Sequence, residues 1–168
     1  MNEEINFPHY IVKYKNHLEF KNYFLPALET LKSGKTRFDG SNDLKNYFLD
    51  NKDYQPYIDF ILQDLQAIIN ATLGKKFTLW KENCWFVKYE KYKHQSWHNH
   101  GLAEWAGVYY LDLDSKSPGT QFQFNDNRIF TPNVNEGDVL LFSGKVKHRS
   151  PPNLTNKKKT VIVFDLYN

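Results

Sequence analysis

Residues 160–167 near the end of the chain, Thr-Val-Ile-Val-Phe-Asp-Leu-Tyr, decide the fold. β-Branched and aromatic residues in such a run favour a β-strand. The run is largely apolar on both of its faces, so both faces must be covered. We therefore expect one face of this strand to line a barrel and the other to pack against helices from the first half of the chain.

Similar short runs recur from Lys76 onward, and turn residues separate them. The pattern predicts five further strands, at 77–80, 85–89, 104–113, 120–124 and 138–142. Strands at this spacing are typical of a sandwich or barrel. Alternation puts Tyr109 and Tyr110 on opposite faces of one strand, with Tyr110 beside Ala106 and Val108, and leaves open which face is inside.

The first half of the chain is typical of helices. Apolar residues recur at three and four positions through 54–73, with Asp53 as a possible cap and Gly74 as the stop. Shorter helices are predicted at 42–49 and near 18–32. We expect a single domain of 168 residues, in which 1–75 is mostly helical support and 76–168 is the β core.

Composition excludes several classes of protein. The chain is 40% hydrophobic and 24% charged, which argues against disorder. Its one cysteine, Cys84, can form neither an internal disulfide nor a zinc–thiolate cluster. Beside Trp85, we expect Cys84 to be a small buried hydrophobic residue.

Charge and hydropathy bound the partners and the compartment. A net charge of +3, from 22 basic and 19 acidic residues, is too mild to indicate nucleic-acid binding. The sequence has no apolar run of the length that a membrane span needs. The acidic and polar start, 1–7, does not fit a signal peptide. These features predict a soluble cytoplasmic protein without a membrane partner.

Three of the histidines have a spacing that favours a metal site. His98 and His100 lie two residues apart, so on an extended segment they point to the same side. His148 follows a second apolar run, 137–144, which a barrel could fold back beside the first pair. Neutral imidazole binds iron, zinc, copper and nickel. The alternative is that these are incidental surface histidines. A closely spaced pair, together with a further histidine that follows a predicted strand, favours a metal site.

Residues 83–167 resemble a 2-oxoglutarate- and Fe(II)-dependent oxygenase, of a small type common in phage and marine microbial proteins. Each motif alone is weak, and the joint match carries the resemblance. The matching positions are Trp85, Tyr89, His98-Asn99-His100, Ala106-Gly107-Val108-Tyr109-Tyr110-Leu111, Gly137-Asp138, His148, Pro151-Pro152-Asn153 and Lys159 before the last strand.

The resemblance implies a mainly β fold, a double-stranded β-helix (jelly roll) with supporting N-terminal helices and iron at one end. By that resemblance His98 and His148 are iron ligands. His100 lies where most of the wider superfamily has Asp or Glu. The third ligand is therefore either His100 or a carboxylate such as Asp126 or Glu104, which would complete a two-histidine, one-carboxylate triad.

The resemblance also assigns residues to 2-oxoglutarate. Lys159 holds the position of the basic residue that binds the distal carboxylate, although Arg is commoner there and would offer a bidentate fork. Its alternative is the ordinary solvated end of the lysine run 157–159. The tyrosine before the leucine often reaches 2-oxoglutarate in similar oxygenases, which favours Tyr110.

The function that the resemblance implies is an Fe(II)- and 2-oxoglutarate-dependent oxygenase that hydroxylates an unknown substrate, with a small-molecule cosubstrate as its partner. One alternative is a cupin-like protein with three metal-binding histidines that does not use 2-oxoglutarate. The other is a jelly-roll binding or structural module in which the histidines are incidental. Cosubstrate turnover and metal content separate the three hypotheses.

Overall fold

The computed structural model describes residues 7–30, 42–43 and 55–168 of the chain. In these residues two antiparallel β-sheets face each other, and two helices cover the outer face of the larger sheet. The strands are β1 His9–Lys13, β2 Asn42–Asp43, β3 Cys84–Tyr89, β4 Gln95–His98, β5 Trp105–Asp112, β6 Gln121–Gln123, β7 Ile129–Phe130, β8 Asp138–Ser143, β9 Lys147–Ser150 and β10 Lys159–Leu166. The helices are α1 His17–Thr30 and α2 Gln55–Leu73, followed by a short 3₁₀ turn, Lys81–Asn83. The prediction of a mainly β fold with N-terminal helices is confirmed.

The larger sheet has six strands in the order β1-β8-β5-β10-β3-β2, and the smaller has four in the order β4-β9-β6-β7. Every pairing is antiparallel. The last strand, β10, lies inside the larger sheet between β5 and β3. It is therefore covered by neighbours along both edges as well as on both faces.

The two faces of β10 enter two different cores. Ile162 and Phe164 pack with the helices, whereas Val161 and Val163 face the smaller sheet. Burying side chains of this size contributes about 1.5–3 kcal/mol each. The prediction that one face of this strand packs against helices is confirmed.

Close packing in the larger sheet requires a glycine on β5. Gly107 is paired with Phe164 of β10, and a Cβ atom at Gly107 would lie 2.1 Å from the Phe164 ring. Any larger residue would displace an aromatic ring from the core below the helices. Glycine is required here because the Phe164 ring occupies the space of a side chain, and its backbone freedom is not the reason.

The helix predicted over 54–73 is confirmed as α2. Gly74 ends it in the left-handed conformation, φ +62°, and its N–H donates to the carbonyl of Asn70 at 3.1 Å. The helix predicted near 18–32 corresponds to α1, which contains Pro26, and its predicted end lies outside the described residues. Neither described helix combines the length and hydropathy that a bilayer crossing requires.

Two sequence predictions in this region are wrong in detail. The helix predicted at 42–49 begins in Asn42 and Asp43, which pair with β3 as β2, and its remainder lies outside the described residues. The strand predicted at 77–80 is not a strand. There the backbone N–H groups of Phe77 and Leu79 bind side chains of α2 instead of a neighbouring strand.

Candidate metal centre

Three imidazoles converge at one end of the two sheets. His98 at the end of β4 and His148 on β9 are direct partners across the smaller sheet, and His100 follows β4 by two residues. One nitrogen from each ring lies within 4.8 Å of the others. The ring centroids are 4.3 Å apart for His98 and His148, and 4.9 Å apart for His100 and His148. The three histidines singled out in the sequence therefore form one cluster.

The hydrogen-bonding of the rings orients one nitrogen of each toward the shared space. Nδ1 of His98 and Nδ1 of His148 each lie beside the backbone carbonyl two residues earlier, at 2.7 and 2.9 Å. Nδ1 of His100 contacts the carboxylate of Asp165. A ring that donates from Nδ1 keeps its lone pair on Nε2. Nε2 of His100 lies 3.1 Å from Nε2 of His148. Three lone pairs that converge in this way are a donor set that fits a transition metal.

The environment of His148 keeps its ring neutral. Burial first, and then the electrostatic influence of the neighbouring His98 and His100, lower the pKa of the His148 imidazole to about 3. A metal binds the neutral ring, so little proton competition arises at this position near neutral pH.

The turn after β4 places His100. Its backbone N–H donates to the carbonyl of Gly144 at 2.9 Å, and its ring stacks beside Trp85 with centroids 6.1 Å apart. Gly101 adopts φ +57°, and its N–H donates to the side chain of Asn99 at 3.1 Å. The left-handed turn that glycine allows thus lets the chain leave the cluster directly after the third imidazole.

The carboxylates weighed as third ligands are not among the clustered groups. The cluster of potential ligands in the described residues contains the three histidines alone. Asp126 is exposed and accepts hydrogen bonds from Arg128. Glu104 pairs with Lys75 at 3.2 Å. The geometry therefore favours His100 over either carboxylate.

Lys159 lines the same cavity as the three histidines. It begins β10, and only 1% of its surface is exposed. Its ammonium donates to the carbonyl of Pro118 at 2.8 Å and to the hydroxyl of Ser150 at 3.0 Å. Burial lowers the pKa of Lys159 to about 7.

The buried position of Lys159 separates it from the rest of the lysine run. Lys157 and Lys158 are exposed, whereas Lys159 is buried. The interpretation of Lys159 as a solvated strand end is therefore wrong. Among the described residues no carboxylate forms an ion pair with it. A buried cation with only neutral acceptors is unfavourable by itself and gains from an anion.

Tyr110 faces the smaller sheet, and Tyr109 packs among the helices. The alternation of these two rings is thus confirmed. The Tyr110 hydroxyl donates to the side chain of Thr120 at 2.9 Å and accepts the Thr120 backbone N–H at 3.0 Å. Thr120 lines the cavity, and so does Tyr89, whose hydroxyl donates to Gln95 at 3.1 Å. Direct contact of Tyr110 with a cosubstrate remains a prediction.

Sequence reasoning missed several residues that shape the site. Asp165 behind His100 is the most informative, because an acid in an otherwise apolar strand is itself a signal. Alternation along β10 places it on the same face as Lys159. Ser150 and Thr120 are small polar residues that carry no comparable signal in the sequence.

Asn153 is a second residue whose part was missed. It is fully buried and its side chain donates to the carbonyls of Tyr89 at 3.1 Å and Lys157 at 2.7 Å. Its oxygen accepts from the Ser117 hydroxyl at 2.8 Å. These bonds tie the end of β3 to the segment that leads into Lys159.

No protein-family model matches the sequence, and no curated protein matches it either. Solved structures do match the fold. AviO1 from Streptomyces viridochromogenes Tue57 superposes with a TM-score of 0.71 at 13% identity, over 96% of this chain and 90% of that one. HygX from Streptomyces hygroscopicus, solved with nickel and 2-oxoglutarate bound, gives 0.70 at 12% identity, over 96% and 83%.

A prolyl-4-hydroxylase from Pseudomonas putida gives a TM-score of 0.65 at 12% identity, over 97% of this chain and 94% of that one. At these identities the likeness concerns the fold. The chain therefore has the fold of these proteins, and the resemblance inferred from its sequence is confirmed at the level of the fold.

Proposed function

We propose that the chain is an Fe(II)- and 2-oxoglutarate-dependent oxygenase built on a jelly roll. In this proposal residues 76–168 form the jelly-roll core and residues 1–75 support it within a single domain. One observation carries the functional part: three converging imidazole nitrogens and a buried lysine, which has no acidic partner among the described residues, line one cavity.

His98, His100 and His148 would hold the iron through Nε2. The support is that every Nδ1 has an oxygen partner, which leaves Nε2 of each ring for the metal. Three neutral donors leave the charge of Fe(II) uncompensated by direct ligands. An anionic cosubstrate is therefore a favourable additional ligand.

Lys159 would bind the distal carboxylate of 2-oxoglutarate. Ser150 and the Pro118 carbonyl already direct its ammonium, so little side-chain freedom is lost on binding. Val161 and Val163 also line the cavity and give part of its wall an apolar surface. Next to an apolar wall a charge-assisted hydrogen bond is stronger than it would be in bulk solvent.

Iron, when bound, would supply oxygen activation coupled to oxidative decarboxylation of 2-oxoglutarate, which in this class of enzyme ends in hydroxylation of a substrate. The role of the protein would be to hold the iron and 2-oxoglutarate at a fixed separation and to keep water away from them. HygX, which has the same fold, has been solved with nickel and 2-oxoglutarate bound. This supports the proposal that the cavity binds a metal ion together with 2-oxoglutarate.

The test is succinate formation. The purified protein is loaded with Fe(II) without oxygen, mixed with 2-oxoglutarate and exposed to oxygen, and succinate is measured by NMR against His148→Ala. Succinate from the wild type alone supports the proposal. Stoichiometric iron without succinate would favour the cupin-like three-histidine protein, and absence of metal binding would favour a binding module.

A further inference from the structure

A buried carboxylate lies directly behind one of the three clustered imidazoles. Asp165 contacts Nδ1 of His100, and the side chains of the two residues are 9% and 7% exposed. Within the described ranges the Asp165 oxygen in this contact has no other hydrogen-bond partner. The second oxygen accepts only a long hydrogen bond, 3.4 Å, from the Tyr167 hydroxyl. The acid therefore faces the histidine and little else.

The backbone fixes this contact from both sides. Asp165 lies on β10 opposite Ala106 of β5, inside the larger sheet. The His100 backbone is held by Gly144, and its ring is held by the stack on Trp85. The backbones of the two partners are therefore held in place, that of Asp165 by the strand ladder and that of His100 by the turn after β4.

The Nδ1 atoms of the other two histidines contact the backbone instead. Each lies beside the carbonyl two residues earlier, which is neutral. Nδ1 of His100 contacts a carboxylate, which carries a formal negative charge. A carboxylate behind an imidazole fixes the tautomer and raises the basicity of the opposite nitrogen.

We infer that Asp165 is a positioning residue of the metal centre, acting through His100. It holds Nε2 toward the metal and supplies, from behind the ring, the negative charge that a carboxylate ligand would otherwise bring. The inference rests on the proposed metal site. Three imidazoles bring no negative charge to a divalent metal. In this inference the carboxylate of Asp165 offsets part of the metal charge in place of a charged ligand.

The first experiment titrates Co(II) alone into the metal-free protein and follows the visible absorption of the complex. Outer-sphere partners of this kind typically contribute 10–100-fold to metal affinity, so Asp165→Asn should weaken Co(II) binding by about that factor. Tyr167→Phe is the matched control, because it removes the hydrogen bond to the other oxygen of the acid and leaves the His100 pair intact. It should retain wild-type affinity.

The second experiment repeats the substitution in a His100→Asp background. There the introduced carboxylate can itself carry the charge, and it would lie against Asp165, so like charges oppose each other. Asp165→Asn should then leave Co(II) affinity unchanged or improve it. A purely structural role would cause the same loss in both backgrounds.

The outcomes separate this inference from the proposed function. If the wild type binds Co(II) and Asp165→Asn binds it equally well, the inference is overturned while the metal site stands. An equal loss in both backgrounds, or unfolding of metal-free Asp165→Asn, also overturns it. If the wild type itself binds no Co(II), the proposed metal site fails and this inference fails with it.

Discussion

Two histidine-centred clusters lie on opposite faces of the larger sheet, and they differ in what satisfies their polar groups. On the helix side, His17 contacts the Tyr109 hydroxyl at 2.7 Å and Glu136 at 3.2 Å. Lys21 pairs with Glu136 at 2.8 Å and with Asp112 at 2.7 Å. In this helix-side cluster both lysine and histidine have an acidic partner within the protein.

On the other face, the cavity-side cluster consists of the three histidines and Lys159. Its imidazole nitrogens point toward each other, and the acceptors that the described part of the chain offers the lysine are neutral. Each cluster has a buried centre, formed by His17 and Tyr109 on the helix side and by His148 and Lys159 on the cavity side, so burial alone does not distinguish them. The difference is that the charged groups of the helix-side cluster have partners of opposite charge within the protein, whereas the proposed function gives the cavity-side cluster its partners through bound ligands.

Removing a histidine from the cavity-side cluster should have the largest effect. His148→Ala takes away one of three converging nitrogens, so we expect Fe(II) affinity to fall by more than about 100-fold, beyond the loss typical of an outer-sphere partner. Iron content of the purified variant and anaerobic titration measure this.

The control variants for this loss of Fe(II) affinity test directly whether the two clusters have separate roles. His17→Ala should retain iron binding, although it lowers stability, because its partners belong to the helix-side cluster. Glu104→Ala and Asp126→Ala should also retain it, since neither carboxylate joins the cluster of potential ligands. Iron loss in Glu104→Ala or Asp126→Ala would restore the two-histidine, one-carboxylate triad.

Lys159→Ala should weaken 2-oxoglutarate binding while iron binding persists. A charge-assisted hydrogen bond contributes about 1.5–3 kcal/mol, which corresponds to roughly 10–100-fold in affinity. Calorimetry with the metal-loaded protein measures the change. Lys157→Ala is the matched control, because Lys157 is exposed and pairs with Asp114 at 3.3 Å on the protein surface. Equal small losses at both positions would remove the cosubstrate anchor.

Glu136→Gln should affect stability and leave both ligands unaffected. Burial by itself raises the pKa of Glu136, but hydrogen bonds from Lys21, Leu113 and His17 outweigh it and hold the pKa at about 2. We expect a loss of about 1–3 kcal/mol in the free energy of unfolding at pH 7, as for a hydrogen-bonded charge.

The pH dependence of unfolding checks the cause of that loss. Because the folded pKa of Glu136 is below its unfolded value, its stabilisation is complete above about pH 4.5 and is lost as the pH falls toward 2. Glu136→Gln should flatten this part of the stability curve, measured by urea denaturation. A weakened iron or 2-oxoglutarate affinity in this variant would contradict the separation of the two clusters.

The smallest expected effect is a pH dependence of cosubstrate affinity. The pKa of Lys159 is about 7 in the free protein, and a bound carboxylate would raise it. Binding then takes up a proton above pH 7, so affinity should fall about fivefold between pH 7 and pH 8 and change little below pH 7. Lys159→Arg stays charged throughout and, where the cavity accommodates it, should lack this fall.

The strands with strong alternation or strong apolar character were predictable. β3, β5, β8 and β10 are buried on both faces, and their runs of branched and aromatic residues favour strands over helices. The histidine cluster was predictable as well, because the spacing of His98 and His100 places both on one side of the chain.

The polar strands were not predictable from local pattern. β4, Gln-Ser-Trp-His, and β9, Lys-His-Arg-Ser, contain no apolar alternation, yet they position His98 and His148. They are strands because they pair with each other, and β9 pairs with β6 along its other edge. The segment 77–80 is the opposite case, because its residues favour a strand but it is not one. The side chains of Gln66 and Asn70 on α2 accept hydrogen bonds from its backbone N–H groups in place of a partner strand.

The pairing of His98 with His148 across β4 and β9 gives a bound metal a mechanical consequence. β4 lies at the edge of the smaller sheet, and its register shifts between Gln95 and His98. A metal shared by these strands would act as a removable cross-link that closes a loop of about 50 residues. In the chain-entropy treatment used for disulfides, closing a loop of that length is equivalent to about 4 kcal/mol. Amide hydrogen exchange in β4 would then slow when metal is added and quicken when a chelator removes it.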